Sequence, residues 1–208
     1  AHIEAKVRLI EEVSRRTQRQ LSLDTFTIGF ARRATLYKRA DLVLSSPGEL
    51  LDVAKRAGPL QILFAGKAHP KDEPGKDMIR RIVQAAKQLE RDVTILYLED
   101  YDLRLASLLT SGVDLWLNTP QRPLEASGTS GMKAAHNGVP SLSVLDGWWV
   151  EGHIEGVTGW SIGSRTLGQA ADHAEEAREL YQKLRWTIVP MYYQAHDRWI
   201  DVMRHTVA

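Results

Sequence analysis

Residues 125–138, EASGTSGMKAAHNG, set a single lysine, Lys133, behind a run of small residues and ahead of an alanine-rich helical pattern. Ser127, Gly128, Thr129, Ser130 and Gly131 form a loop whose small side chains let the backbone come close to a ligand. A helix opening at about Met132 would turn its free N–H groups back onto that loop, a setting for an anion such as phosphate. Lys133 then falls in the first helical turn, where an exposed ammonium is placed unfavourably against the helix dipole. A lysine condensed with an aldehyde escapes that conflict, and a Schiff base beside a phosphate site is characteristic of pyridoxal phosphate. The plainer alternative is a lysine paired with a bound phosphate or with a carboxylate such as Glu125.

A second stretch, ARRATLYKR at 31–39, carries four cations and leads into a helical pattern. A strand-to-helix turn offers backbone N–H groups to an anion, and Arg33 with Lys38 would add bidentate and point-charge contacts. A solvated basic helix face would have the same composition. The segment AGKAHPKDEPGK resembles a phosphate loop, but its spacing matches neither GxxxxGK[ST] nor GxGxxG. His69, His136 and His153 are too scattered to suggest a metal site, and none is expected.

These residues need elements to position them. FTIGFA (26–31), LQILFAG (60–66), VTILYL (93–98), VDLWLN (113–118) and PSLSVLD (140–146) are nearly continuous apolar runs, as strands buried on both faces require. Helical patterns lie between them at 36–44, 50–57, 77–89, 103–109 and 132–137. The alternation predicts an α/β fold: a Rossmann-like, mostly parallel sheet flanked by helices. In such sheets ligands bind beyond the carboxyl ends of the strands, where the polar and glycine-rich segments fall. An amphipathic helix at 2–20 precedes the strands, with Ile3, Val7, Ile10 and Val13 as its apolar stripe. The stretch from about 169 to 206 reads as helices broken near Pro190. The organisation expected is 1–24 as leading helix and connection, 25–168 as cofactor- and phosphate-binding core, and 169–208 as C-terminal helices of the same domain.

With 43% apolar residues and 25% charged residues in 208, the chain can bury a full core. A formal charge of +1 gives no global attraction to nucleic acid or anionic membranes, so neither is an expected partner and anion binding must be local. The absence of cysteine excludes a disulfide framework and thiolate metal ligands. No apolar run reaches the roughly 20 residues of a membrane span, and the first residues lack a signal-peptide pattern, so a cytoplasmic location is expected. A start at Ala1, inside a helical pattern, suggests a piece of something longer.

Taken together, EASGTSGMKAAHNG, GFARRATLYKRADL, FAGKAHPKDEPGKDMI and LYLEDYDLRLA resemble the α-glucan phosphorylases, which include glycogen, starch and maltodextrin phosphorylase. The first looks like that family's pyridoxal-phosphate lysine motif, commonly written EASGTGNMK or EASGTSGMK, and coverage runs from about Phe26 to Gly163. The resemblance implies the C-terminal, cofactor-carrying half of a GT-B glycosyltransferase, with the active site between this half and an N-terminal domain of the same parent protein. It implies phosphorolysis of terminal α-1,4-glucosyl units by inorganic phosphate to glucose 1-phosphate. By matching position, Lys133 is the Schiff-base lysine, and Arg33 and Lys38 bind the substrate phosphate. Arg32, Tyr101, Thr129, Ser130 and Gly131 hold the cofactor, while Glu125, Ser127 and Gly128 meet the glucosyl hydroxyls. The departure SGMK for GNMK, like DGWWVEGH, resembles a short-chain branch, which leaves substrate length and regulation open. Of the paired tryptophans, Trp148 and Trp149, one is expected to pack in the core, and stacking on sugar is the other role available. A homo-oligomer stays open. Two rivals remain: a cofactor-free sugar-nucleotide transferase half, and a catalytically incomplete half acting as a binding module.

Overall fold

The computed structural model of the chain describes residues 1–163 and 172–207. Six parallel strands, β1 (Phe26–Ala31), β2 (Leu60–Ala65), β3 (Thr94–Leu98), β4 (Leu115–Asn118), β5 (Ser141–Val144) and β6 (Gly159–Ile162), form one sheet in the order β3-β2-β1-β4-β5-β6. The apolar runs of β1, β2, β4 and β5 become strands because both faces are covered, while β3, at the sheet edge, is half-buried. Alternate residues divide between two cores. Ile28, Phe30, Ile62, Phe64, Leu115 and Leu117 face α2 (Pro47–Ala57), α3 (Glu73–Leu89) and the C-terminal helices. Leu63, Ala65 and Trp116 face α1 (His2–Thr17), α4 (Leu103–Gly112) and α5 (Thr129–His136). Asp72 and Asp102 cap α3 and α4 by accepting from Gly75 N (3.0 Å) and Leu105 N (2.7 Å), which fixes where the chain turns from rim loop into helix. The strand order reverses direction between β1 and β4, so a crevice opens at their carboxyl ends.

Several expectations are corrected. The stretch 36–44 is not a helix but two short 3-10 turns, Leu36–Lys38 and Leu42–Leu44, because Arg39 between them is left-handed (φ 47°) with its guanidinium bound to carbonyls beyond β4. A sixth strand, GWSI, had no long apolar run to mark it. On α1 the buried face is Ala5, Lys6, Leu9, Glu12 and Val13, while Ile3 is 67% exposed and Val7 lies outside. Lys6 is buried because its ammonium reaches Asp114 at 2.6 Å, and Asp114 also accepts the Thr27 N–H at 2.8 Å. No break falls at Pro190. The helix α7 (His173–Lys183) continues through a π-helical turn, Leu184–Ile188, into α8 (Val189–Gln194), which carries Pro190 in its first turn, where a missing N–H costs least. The interruption comes at Ala195, before α9 (His196–Val207). The expected boundary at 168/169 lies outside the described residues. Among those described, no helix is long and apolar enough to cross a membrane.

Candidate functional site

At the crevice the chain builds a cleft of about 410 Å³ whose lining includes Arg32, Arg33, Lys38, Tyr101, Glu125, Ser127, Gly128, Thr129, Ser130 and Lys133. Every predicted site residue except Gly131 lines it; Gly131 lies beneath the Trp148 indole, and its N–H is taken by Gly128 O at 3.0 Å.

The cleft is organised around a buried carboxylate. Glu125 Oε2 accepts from Arg32 Nη2 at 2.6 Å and from Lys38 Nζ at 2.5 Å. Arg32, one residue beyond β1, also donates Nη1 to Asn118 Oδ1, and Asn118 Nδ2 donates to Ser143 Oγ at 3.0 Å. The guanidinium is thus tied directly to the end of β4 and, through Asn118, to β5. Lys38 Nζ lies 4.4 Å from the centroid of the Tyr37 ring, a cation–π contact. Arg33 is exposed and has no ion pair among the described residues. Tyr101 is half-buried, and burial pushes its phenol pKa up, with the Arg32 charge opposing.

The loop ahead of α5 is fastened to the loop after β5. Asp146 Oδ2 accepts the Glu125 N–H at 2.9 Å, and the Trp148 N–H donates to Ser127 O at 2.9 Å. Gly147, at φ 57°, lies so close that a Cβ there would stand 2.5 Å from Ser127 O. Of the paired tryptophans, Trp149 is buried in the core, as expected of one of them, and Trp148 is half-buried against the small-residue loop.

Gly128 takes the left-handed conformation (φ 83°) and caps α5, so the helix begins at Thr129, earlier than expected. Lys133 therefore lies in the second turn, and the conflict with the dipole at the first turn does not arise; the correction follows from that cap. At four residues' spacing, Thr129 and Lys133 share one helix face. Both are exposed to the cleft, and Lys133 Nζ has no partner among the described residues. The hydroxyl of Ser130 is buried and unpartnered, as is Arg32 Nε.

Arg39, Asn118, Thr119 and Asp146 were not singled out from the sequence. Arg39 donates to Thr119 O (2.9 Å) and Pro120 O (2.8 Å), and Thr119 Oγ1 returns a bond to Arg39 O at 2.9 Å, locking the loops after β1 and β4 together. The available signal was position: Asn118 and Asp146 are the polar residues that end the apolar runs of β4 and β5.

The sheet order and the crevice define a doubly wound α/β domain with its polar cleft at the switch point. The chain belongs to the carbohydrate phosphorylase family, whose family model matches residues 1–194. It is 40% identical to maltodextrin phosphorylase of Thermococcus litoralis over all of this chain and 27% of that protein. It is 41% identical to glycogen phosphorylase of Aquifex aeolicus over 99% of this chain and 33% of that protein, and 42% identical to glycogen phosphorylase of Mycobacterium bovis over 88% and 22%. The chain therefore spans a third or less of the length of these relatives.

Proposed function

We propose that this chain is the pyridoxal-phosphate- and phosphate-binding part of an α-1,4-glucan phosphorylase. The observation that carries the reading is the gathering, in one cleft, of an exposed, unpartnered Lys133 one turn into α5 with the cations Arg32, Arg33 and Lys38. The residues fit the cofactor. A small-residue loop, a helix N-terminus and the unpartnered Ser130 hydroxyl suit its phosphate, and Arg32 Nε has a donor to spare. Lys133 would anchor the cofactor covalently, with Thr129, Ser130, Arg32 and Tyr101 around it, while Gly131, its N–H already taken by Gly128 O, would let the loop pass under Trp148. When bound, pyridoxal phosphate would supply, through its 5′-phosphate, an acid/base group with a pKa near 6.

Arg33 and Lys38 would hold the substrate phosphate, and Glu125, Ser127 and Gly128 the glucosyl unit. An oxygen of hydrogen phosphate bonds to the anomeric carbon as the α-1,4 C–O bond breaks, and the leaving glucan oxygen takes the proton that the phosphate gives up. The products are glucose 1-phosphate, with configuration retained, and a glucan shorter by one unit. Two unit negative charges 4 Å apart repel by about 4 kcal/mol at an effective dielectric of 20, so two phosphates in one cleft need Arg32, Arg33 and Lys38 between them. The partners on this reading are an α-1,4-glucan and an N-terminal domain of the same parent protein, which closes the cleft, in the cytoplasm.

The test is release of glucose 1-phosphate from maltodextrin and inorganic phosphate, with the chain joined to that N-terminal half. The reading expects phosphate-dependent release that Lys133→Ala abolishes. Equal release by the two would refute it.

A further inference from the structure

Glu125 sits where an incoming anion would have to bind. Its Oε2 is shared by Arg32 Nη2 (2.6 Å) and Lys38 Nζ (2.5 Å), and the residue is 7% exposed. A phosphate brought onto those donors meets the oxygen they already hold. Both cations keep further N–H groups, but a phosphate taken by them is set beside the Glu125 carboxylate, and two anions at that range repel. The backbone beneath is fixed, because Asp146 holds the Glu125 N–H and Trp148 holds Ser127 O. Only the side chain can leave, and the neighbouring Ala126 and Ser127 are exposed, so the open side of the cleft is next to it.

We propose that Glu125 is an internal competitor at the anion site, a carboxylate that occupies Arg32 and Lys38 until a phosphate group displaces it. This rests on the reading of Arg32 and Lys38 as phosphate ligands and adds a control on their affinity. The charge count supports it. With Glu125 in place the two cations present a net charge of +1 to the cleft, and with Glu125 withdrawn they present +2, beside the exposed Arg33. Phosphate affinity is then set by how readily the carboxylate gives way, and any ligand that holds Glu125 elsewhere raises it by the same factor that phosphate raises that ligand's affinity.

The test is calorimetric titration with inorganic phosphate, at constant ionic strength in potassium chloride, of wild type, Glu125→Gln and Glu125→Asp. Glu125→Gln frees both cations and should bind phosphate more tightly by roughly tenfold or more, within the range usual for coupled groups. Glu125→Asp keeps the charge but is one methylene shorter and cannot bridge both cations, so it should fall between, and it decides the matter where the glutamine variant does not fold. Affinity no higher than wild type in the folded variants would overturn the proposal. Repeating the titration after pyridoxal phosphate has been fixed by borohydride separates the sources: a gain that persists belongs to the substrate's phosphate, and a gain seen only without cofactor belongs to the cofactor's. If no cofactor is fixed at Lys133 while the gain remains, the phosphorylase reading fails and the competition stands.

Discussion

Replacing Arg39 with alanine tests whether one buried guanidinium holds the two loops of the cleft together. Arg39 is 8% exposed, donates to Thr119 O and Pro120 O, and sets Nη1 2.5 Å from Glu176 Oε2. The variant leaves two carbonyls without their donor and a carboxylate, 3% exposed, without its cation. Breaking a buried pair from one side costs about 3–5 kcal/mol. A chain of this size loses roughly 2–4 °C of Tm per kcal/mol, so the expected fall at neutral pH is about 6–20 °C. Glu176 adds a pH signature. Burial pushes its pKa above the usual 4.5, and Arg39 opposes that push. Without Arg39 the folded pKa climbs further above the unfolded one. Such a group binds its proton more tightly when folded, so its contribution is fully present below the unfolded pKa and is lost as pH rises through the folded value. The deficit of Arg39→Ala should therefore shrink as pH falls from neutral towards 4.5. Thermal melts of both proteins at matched pH values check this. A fall under about 2 °C at neutral pH, or a deficit that does not shrink on acidification, would refute the reasoning.

Gly147→Ala adds a Cβ 2.5 Å from Ser127 O at a φ of 57°, and urea unfolding should show a loss of roughly 1–3 kcal/mol. Glu12, buried on α1, is held at a pKa of about 2 by hydrogen bonds from Arg15 and Arg16 against the ordinary 4.5. Its stabilisation is present above 4.5 and lost as pH falls towards 2, so Glu12→Gln should flatten the acid limb of a stability–pH curve. Lys133→Ala removes an exposed side chain with no described partner, and cofactor-free unfolding free energies should agree with wild type within about 0.5 kcal/mol.

The strands β1, β2, β4 and β5 were readable because a run buried on both faces needs nothing but apolar residues in a row, and the half-buried edge strand β3 carries the same kind of run. The strand β6 was not, since Gly159 and Ser161 interrupt its run and its burial comes from neighbours such as Trp199, which stacks on Trp160. The α1 stripe was misread for a related reason. Periodicity counts apolar residues, whereas Lys6 is buried by a partner 108 positions away. At the cleft the residue types were legible and their pairing was not. Glu125 meets Arg32 and Lys38 across 93 and 87 positions, and nothing in EASG or ARRATLYK announces that the glutamate lies on the cations. Arg39 looked like one more charge in a basic run, and its burial depends on carbonyls of the loop after β4.

The central claim is that Lys133 carries pyridoxal phosphate. The most direct measurement is borohydride reduction of the purified chain after incubation with the cofactor, followed by digestion and mass spectrometry of the lysine peptides. The account predicts the reduced adduct on the peptide containing Lys133 and its loss in Lys133→Ala. Wild type that takes up no more cofactor than Lys133→Ala, in the chain alone and joined to its N-terminal half, would contradict it.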